Sequence, residues 1–234
     1  MINDNLALVR NNIERAARKA GRDPESVTLI AVSKTKPLSM VEECIAAHQT
    51  DFGENKPQEL RDKFDTLGRE DIRWHMIGHL QKNKIKYVIG RACLIHSVDS
   101  VDLAAEISRQ ALNKGIVMPI LLEVNMAGEE SKFGFAPEET IEAVKTISRM
   151  EGTAIRGLMT IAPYVEDPEQ NRCHFRNLRD LSIDIAKQNI DNVIMTDLSM
   201  GMTGDYEVAV QEGATFVRVG TGIFGERDYS LARQ

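Results

Sequence analysis

Short apolar runs alternate with amphipathic stretches along most of this chain. Eight runs are apolar on both faces, as expected of parallel strands that are covered by helices. They span residues 27–34, 50–55, 73–79, 93–100, 119–126, 154–162, 191–200 and 215–224. Before the first run, apolar residues recur at helical spacing from Ile2 to Ala17, and Gly21 stands where a C-terminal cap belongs, which predicts a leading helix.

Helical patterns occupy several of the intervals between the runs. Helices are predicted to begin at Ser100, at Pro137 and at Pro168, and a further one is predicted to open at about Asp205. About eight strands alternating with helices predict an α/β fold, a single (β/α)8 TIM barrel with an extra N-terminal helix. We expect it to occupy residues 1–234 as one domain. An open doubly wound sheet would also alternate, but it usually has fewer strands.

The composition and charge of the chain narrow the classes of function. Of its 234 residues, 42% are hydrophobic and 27% are charged, as in ordinary globular proteins, and the net charge of −6 argues against a nucleic-acid-binding surface. The cysteines, Cys44, Cys93 and Cys173, form no CxxC pair, which disfavours a disulfide framework or a zinc site. The polar N-terminus and the lack of a long apolar run predict a cytoplasmic protein without a membrane segment.

Polar residues collect at the predicted strand ends, and the C-terminal ends are where barrels of this type carry their active sites. The residues at these strand ends are Lys34, Asn55, His75, Gly78, His79, Asp99, Asn125, Thr160, Ser199 and the RVGTG run at residues 218–222. His75 and His79 stand four residues apart, a spacing that shares a face on a helix. Because their segment has the pattern of a strand, no metal site is predicted there.

Lys34 lies in the stretch LIAVSKTKPLSM, residues 29–40, at the end of the first apolar run. A lysine amine attacks carbonyl groups only when it is deprotonated, a state that a desolvated barrel mouth favours. The alternative is a lysine that extends from the strand end into solvent. Lys36 shares the strand face of Lys34, but Pro37 ends the strand by Lys36 and favours Lys34 as the inward residue.

Two glycine-bearing loops follow the last two predicted strands, DLSMGMTGDYEVAV at residues 197–210 and RVGTGIFG at residues 218–225. In barrels, loops at these positions commonly hold phosphate groups through exposed backbone N–H groups. Arg218, inside the last apolar run, must point outward or meet an acceptor. An inward Arg218 is suited to face the ring nitrogen of a pyridine cofactor and keep it unprotonated, whereas an outward one would pair with a helix carboxylate.

Six ordered motifs, AVSKTKP, FGEN, WHMIGHLQKNK, GLMTIAP, LSMGMTGDYEVAV and VRVGTGIFGERDY, together resemble the pyridoxal phosphate homeostasis protein family, whose barrels have the alanine-racemase-like fold. The resemblance implies pyridoxal 5′-phosphate (PLP) as the cofactor, held as a Schiff base. The cofactor-binding residues that it implies are Lys34 (Schiff base), Arg218 (ring nitrogen), Ser199, Gly220 and Thr221 (phosphate), and Asn55 and His75 (cofactor lining).

The same resemblance implies a role in the cell rather than a reaction. The family is thought to bind and deliver PLP in intracellular vitamin B6 and amino-acid homeostasis, without established catalysis, and apo PLP-dependent enzymes are the implied recipients. His79 departs from the motif, because a smaller or apolar residue is expected at that position. We therefore expect His79 to alter the mouth of the site.

Two enzymatic alternatives stay open at this point. A PLP-dependent amino-acid racemase of low activity would use the same barrel, but it needs an acid or a base on each face of the reacting carbon. The sequence ends at Gln234 without the second, all-β domain that supplies a tyrosine in alanine racemases, so we expect a monomer with at most a slow side activity. A Schiff-base aldolase acting on a sugar phosphate ranks third, because its lysine would lie on a later strand, where Lys132 is a poor candidate.

Overall fold

Eight parallel strands close into a barrel in the computed structural model, which describes residues 1–129 and 132–226. The strands follow one another around the barrel in chain order, and the last pairs with the first. They are β1 (Thr28–Val32), β2 (Asp51–Glu54), β3 (Arg73–Met76), β4 (Ala92–Val98), β5 (Met118–Glu123), β6 (Thr153–Met159), β7 (Val193–Met202) and β8 (Phe216–Val219). The predicted (β/α)8 barrel is confirmed, and the open doubly wound sheet is excluded.

Helices cover the outside of this barrel. They are α1 (Ile2–Lys19), α2 (Leu38–Ala46), α3 (Pro57–Leu67), α4 (Val101–Asn113), α5 (Pro137–Ile147), α6 (Arg172–Ala186), α7 (Tyr206–Gln211) and α8 (Thr221–Phe224), with 3-10 turns at Pro24–Ser26, Lys82–Tyr87 and Pro168–Asn171. The helices predicted from Ser100 and Pro137 are confirmed, whereas the one predicted from Pro168 starts as a 3-10 turn and becomes α-helical at Arg172. Within the described ranges, none of the helices has the length and apolar character that crossing a bilayer requires.

The leading helix packs against the last elements of the barrel. Its apolar stripe of Ile2, Leu6 and Val9 is buried, as the helical spacing predicts. The Asn5 side chain donates a hydrogen bond of 2.9 Å to the carbonyl oxygen of Ile223 in α8. The extra N-terminal helix is therefore confirmed, and it supports the loop that follows β8.

The first strand ends with its last apolar residue, and the polar residues that follow it form a turn. β1 ends at Val32, and residues 33–36 form a turn that is closed by a 3.0 Å hydrogen bond from the Lys36 N–H to the Ser33 carbonyl oxygen. Thr35 adopts the left-handed region in this turn, with φ of 62°. Lys34 therefore projects from a tight turn at the C-terminal mouth of the barrel and not from the strand itself.

Candidate functional site

A cleft of about 830 Å³ opens at the C-terminal mouth of the barrel. Five of the residues predicted to bind the cofactor, Lys34, Asn55, Arg218, Gly220 and Thr221, line it together. The remaining lining consists of the apolar residues Val32, Ile77, Ile161, Pro163, Val165 and Met202 and the residues Tyr164, Asn171, Thr203, Gly204, Asp205 and Glu226. A largely apolar cleft with a few convergent polar groups is typical of a site for a small cofactor.

The structure separates the two lysines that the sequence spacing leaves equivalent. Lys36 Nζ donates hydrogen bonds to the carbonyl oxygens of Phe224 (3.1 Å), Gly225 (3.2 Å) and Glu226 (3.0 Å). This lysine therefore clamps the segment that follows α8. Lys34 is half-buried and lines the cleft, as Pro37 led us to expect.

A buried ion pair lies behind the turn that carries Lys34. Lys63 Nζ donates to Glu54 Oε1 (2.7 Å), to Glu59 Oε1 (2.9 Å) and to the carbonyl oxygen of Ser33 (2.7 Å). Ser33 Oγ donates to the same Glu54 oxygen at 2.6 Å, so the residue before Lys34 is held at two atoms. Burial raises the pKa of Glu54 to about 6, although Lys63 opposes this shift. The cluster fixes the backbone from which the Lys34 side chain projects.

Asn55 brings a hydrogen-bond acceptor without a protein partner to the cleft. Its Oδ1 atom is buried and makes no hydrogen bond within the described part of the chain. The Asn55 backbone lies so close to Gly78 that a Cβ atom at that glycine would come within 2.7 Å of it, which explains the glycine at this position. Because a buried acceptor without a partner is costly, the Asn55 amide suits a ligand that supplies a donor.

The loops after β7 and β8 are joined beside the end of β1. Thr203 Oγ1 accepts hydrogen bonds from the N–H groups of Gly220 (3.3 Å) and Gly222 (3.4 Å). A Cβ atom added to Gly220 would lie 3.5 Å from Val32, the last residue of β1. The two loops predicted to hold a phosphate therefore meet at the same cleft as Lys34.

Arg218 points into the barrel, where it is buried. Its Nη1 atom donates to Ser199 Oγ at 2.5 Å and its Nη2 atom donates to the Thr160 carbonyl oxygen at 2.8 Å. Burial lowers the pKa of Arg218 to about 10, with Glu123 opposing, so the guanidinium still carries its charge at neutral pH. Burial also raises the pKa of Glu123 to about 7; the charge of Asp99 adds to that shift and Arg218 opposes it.

His75 and Ser199 lie deeper than the other predicted cofactor residues, and neither belongs to the described lining of the cleft. β7 continues to Met202, two residues past the predicted run, so Ser199 is inside the strand and not at its end. His96 joins the two residues, because its Nε2 atom is 2.9 Å from His75 Nδ1 and its Nδ1 atom is 2.8 Å from Ser199 Oγ. Through these contacts both residues are linked to Arg218, which lines the cleft.

His79 lies outside the lining of the cleft. Its Nδ1 atom is 3.0 Å from Asp99 Oδ2, and its ring stacks on Phe133 with ring centroids 3.8 Å apart. Within the described residues, no group of histidine, cysteine and acidic side chains is arranged to hold a metal ion.

Sequence reasoning missed Lys63, Thr203 and Glu123. Glu123 had a usable signal, since it is a charged residue inside the apolar run PILLEVNM, as Arg218 is inside its own run. Thr203 also had a signal, since it stands in the glycine-bearing loop at residues 197–210, whereas Lys63 gave none, because it acts on a segment that is distant in the chain.

Comparisons with known proteins agree with this geometry. Residues 5–228 match the family model described as alanine racemase, N-terminal domain. The curated pyridoxal phosphate homeostasis protein of Aquifex aeolicus (strain VF5) is 42% identical to this chain over 97% of its length and 98% of the relative's length. The solved structure of PipY from Synechococcus elongatus PCC7942, with PLP bound, is 35% identical with a TM-score of 0.83, covering 96% of this chain and 100% of that one.

A more distant similarity concerns the fold alone. The alanine racemase of Clostridium difficile 630 is 14% identical with a TM-score of 0.74, and the match covers 96% of this chain but 57% of the racemase. The full-length relatives are therefore the ones that decide the family. With the family model and these relatives in agreement, this chain belongs to the pyridoxal phosphate homeostasis protein family.

Proposed function

We propose that this protein binds PLP in the cleft, holds it through Lys34, and serves PLP and amino-acid homeostasis as a carrier or regulator. The observation that carries the proposal is the convergence of Lys34, Arg218 and the turn at Gly220 and Thr221 on one cleft. The PLP-bound structure of PipY and the name of the curated relatives support the choice of cofactor and role.

Each residue of the cleft has a distinct role in this proposal. When bound, PLP supplies an aldehyde that forms a reversible Schiff base with an amine, and Lys34 provides that amine. Arg218 would face the ring nitrogen and would keep it unprotonated, because two cations should not face each other. The backbone around Gly220 and Thr221 would hold the phosphate, and Asn55 Oδ1 would accept a hydrogen bond from the cofactor.

Ser199 and His75 belong to the site through Arg218. Ser199 Oγ accepts the hydrogen bond from Arg218 Nη1. His96 contacts Ser199, and His75 contacts the other nitrogen of His96. An unprotonated ring nitrogen makes the cofactor a poor electron sink, so the environment of Arg218 favours storage over carbanion chemistry. This is the physical reason for preferring a carrier to a catalyst.

The proposal extends to how the cofactor leaves. An incoming amine would replace the Lys34 amine in the Schiff base, so that Lys34 would be released as a free amine, and the cleft opens directly at the barrel mouth. Apo PLP-dependent enzymes in the cytoplasm are the proposed recipients, and the proposed donor is a one-domain monomer.

The test is the visible absorption spectrum of the protein with added PLP, followed by borohydride reduction and peptide mapping. We expect a Schiff-base band with the reduced adduct on Lys34. The Lys34→Ala protein should lose the band and keep weak, phosphate-dependent binding.

Lys36→Ala is the matched control, because Lys36 is the neighbouring lysine but is engaged with three carbonyl groups. It should keep both the band and the adduct. An unchanged band in the Lys34→Ala protein, or an adduct scattered over several lysines, would exclude Lys34 as the tether.

A second candidate function, a slow amino-acid racemase, is favoured by one observation. Tyr164 is almost fully exposed and lines the same cleft as Lys34, so the cleft offers a phenol as a second acid or base. We expect the loaded protein to exchange the α-proton of L-alanine for deuterium slowly. Tyr164→Phe should abolish racemisation without changing PLP binding, and racemisation at the unaltered rate in this variant would exclude Tyr164.

A further inference from the structure

A continuous chain of hydrogen bonds crosses the barrel interior beneath the cleft. Arg218 Nη1 contacts Ser199 Oγ (2.5 Å), Ser199 Oγ contacts His96 Nδ1 (2.8 Å), and His96 Nε2 contacts His75 Nδ1 (2.9 Å). The last contact joins His75 Nε2 to Asp51 Oδ1 at 3.0 Å. Asp51 is the first residue of β2, whereas Arg218 lies near the end of β8, so the chain runs from the N-terminal side of the barrel towards its mouth.

The direction of every hydrogen bond in this chain follows from its acidic end. An ionised Asp51 only accepts, so His75 Nε2 must carry the proton. In a neutral imidazole the other nitrogen then accepts, so His75 Nδ1 receives a hydrogen bond from His96 Nε2–H. His96 Nδ1 is consequently an acceptor, and the Ser199 hydroxyl must donate to it. The lone pairs of Ser199 Oγ are left for Arg218.

The surroundings of the two rings keep them neutral. Burial lowers the pKa of His75, although Asp51 opposes this shift. Burial lowers the pKa of His96 further, and the charges of His75 and Arg218 add to that shift. Burial alone would raise the pKa of Asp51, but hydrogen bonds from His75 and Arg73 outweigh it and lower the pKa, so Asp51 stays ionised.

Further groups face the chain at its ends and around its rings. Arg73 Nη2 (2.8 Å) and Thr50 Oγ1 (2.9 Å) both donate to Asp51 Oδ2, and Cys93 Sγ lies 3.6 Å from His75 Nε2. The Phe216 ring packs against both imidazoles, with centroids 5.6 and 5.4 Å away. At the other end, the charges of Glu123 and Asp205 act on Arg218.

We propose that Asp51 is a remote positioning residue of the cofactor site, because it fixes both histidine tautomers and the Ser199 hydroxyl and thereby aims Arg218 at the ring nitrogen of PLP. The part of this inference that reaches the cofactor rests on the proposed function. The chain itself is a property of the protein without PLP.

Asp51→Asn is the informative substitution. Asp51 accepts from His75 at Oδ1 and from both Arg73 and the Thr50 hydroxyl at Oδ2, whereas an asparagine has a single oxygen. The charged Arg73 will take that oxygen, so the amide NH2 will face His75 Nε2 and force the proton of His75 onto Nδ1. His96, still neutral, then carries its proton on Nδ1 and donates it to Ser199 Oγ. The Ser199 hydroxyl hydrogen must turn away, and one of the two lone pairs that were left for Arg218 is taken.

The first measurement is ¹⁵N NMR of the histidine rings in the protein without PLP at neutral pH. We expect His75 and His96 to be neutral with the proton on Nε2, and we expect both protons to move to Nδ1 in the Asp51→Asn protein. The Asp71→Asn control loses another aspartate that accepts at both oxygens, from Arg69 on the surface, and it should leave both tautomers unchanged. A proton on Nδ1 of either ring in the unaltered protein would overturn the proposal even if the variant failed to fold.

The second measurement is the ratio of the Kd values for PLP and for its analogue with carbon in place of the ring nitrogen. The unaltered protein should prefer PLP, because the analogue offers Arg218 no acceptor. Asp51→Asn should reduce that preference by about 3- to 10-fold, the range of one net hydrogen bond, and Asp71→Asn should not. A general loss of packing would weaken both ligands equally and leave the ratio unchanged, which would overturn the proposal.

The two hypotheses fail separately. Absence of a Schiff-base band in the unaltered protein would reject the proposed function and, with it, the link to the cofactor, while the tautomer measurement would still decide whether the chain exists. A normal band with an unchanged ratio in the Asp51→Asn protein would reject the positioning role alone.

Discussion

Ionisation of Glu54 is predicted to destabilise the folded protein, and Glu54→Gln is predicted to remove that effect. The Glu54 side chain is fully buried against Ser33 and Lys63, behind the turn that carries Lys34. Burial raises its pKa from 4.5 to about 6, although Lys63 opposes the shift. The folded state therefore holds the proton more tightly than the unfolded chain does, and a displacement of this size corresponds to about 2 kcal/mol.

The sign of the pH dependence follows from the order of the two pKa values. Below pH 4.5 the Glu54 carboxyl is protonated in both states and contributes no pH dependence. Between pH 4.5 and about 6 the unfolded chain releases the proton first, so the free energy of unfolding falls as the pH rises. Above about pH 6 the whole loss of about 2 kcal/mol is present.

Urea unfolding of the unaltered and Glu54→Gln proteins, followed from about pH 4 to about pH 7, measures this directly. Relative to the unaltered protein, the variant should gain about 2 kcal/mol in the free energy of unfolding over that range. The variant also loses the contact with Lys63. This loss shifts its free energy of unfolding by a constant amount and leaves the pH dependence attributed to Glu54 unaffected. Glu59→Gln is the control, because it removes a carboxylate that binds the same lysine at 2.9 Å and leaves Glu54 in place, so the fall in stability assigned to Glu54 should persist in it. A difference between the Glu54 variant and the unaltered protein that stays constant from pH 4 to 7 would refute the reasoning.

Three further outcomes are expected. Burial raises the pKa of Glu123 to about 7, so its ionisation opposes folding. Between pH 4.5 and 7 the Glu123→Gln protein should therefore gain about 3 kcal/mol in the free energy of unfolding relative to the unaltered protein. Urea titrations at the two ends of that range measure this gain. Lys36→Met should lower the free energy of unfolding by about 1–3 kcal/mol through its three lost carbonyl contacts, while peptide mapping still finds the PLP adduct on Lys34. Gly201→Ala should destabilise by about 2–3 kcal/mol, because φ is +87° and the new Cβ would lie 2.5 Å from the Ala209 Cβ. Gly204→Ala, with open space around it, is the control and should unfold at nearly the urea concentration of the unaltered protein.

The elements of the fold were predictable because their signals are local. Alternating apolar runs and helix starts at Ser100 and Pro137 report backbone preferences within a few residues, and both helices form where predicted. The ends of the strands were less predictable. β7 continues two residues past its predicted run, and the turn after β1 is held by Lys63, a residue 30 positions away from the Ser33 carbonyl that it binds.

The candidate site likewise has residues that the sequence predicts and features that it does not predict. Lys34 and Arg218 were visible as charged residues in or beside apolar runs, which is an unfavourable placement unless the fold uses them. The depth of His75 and Ser199 was not visible, because it depends on how far β7 continues and on which residue each side chain meets inside the barrel.

By itself, the sequence determined the barrel, the lysine at its mouth and the glycine loops, since these follow from periodicity, glycine and proline positions and the burial of charge. Only the tertiary structure decided that Lys36 clamps a loop while Lys34 lines the cleft, and that Asp51 connects to Arg218. His96 meets Ser199 across 103 positions of the chain. Contacts of that separation are set by the closure and register of the strands, which no local pattern encodes.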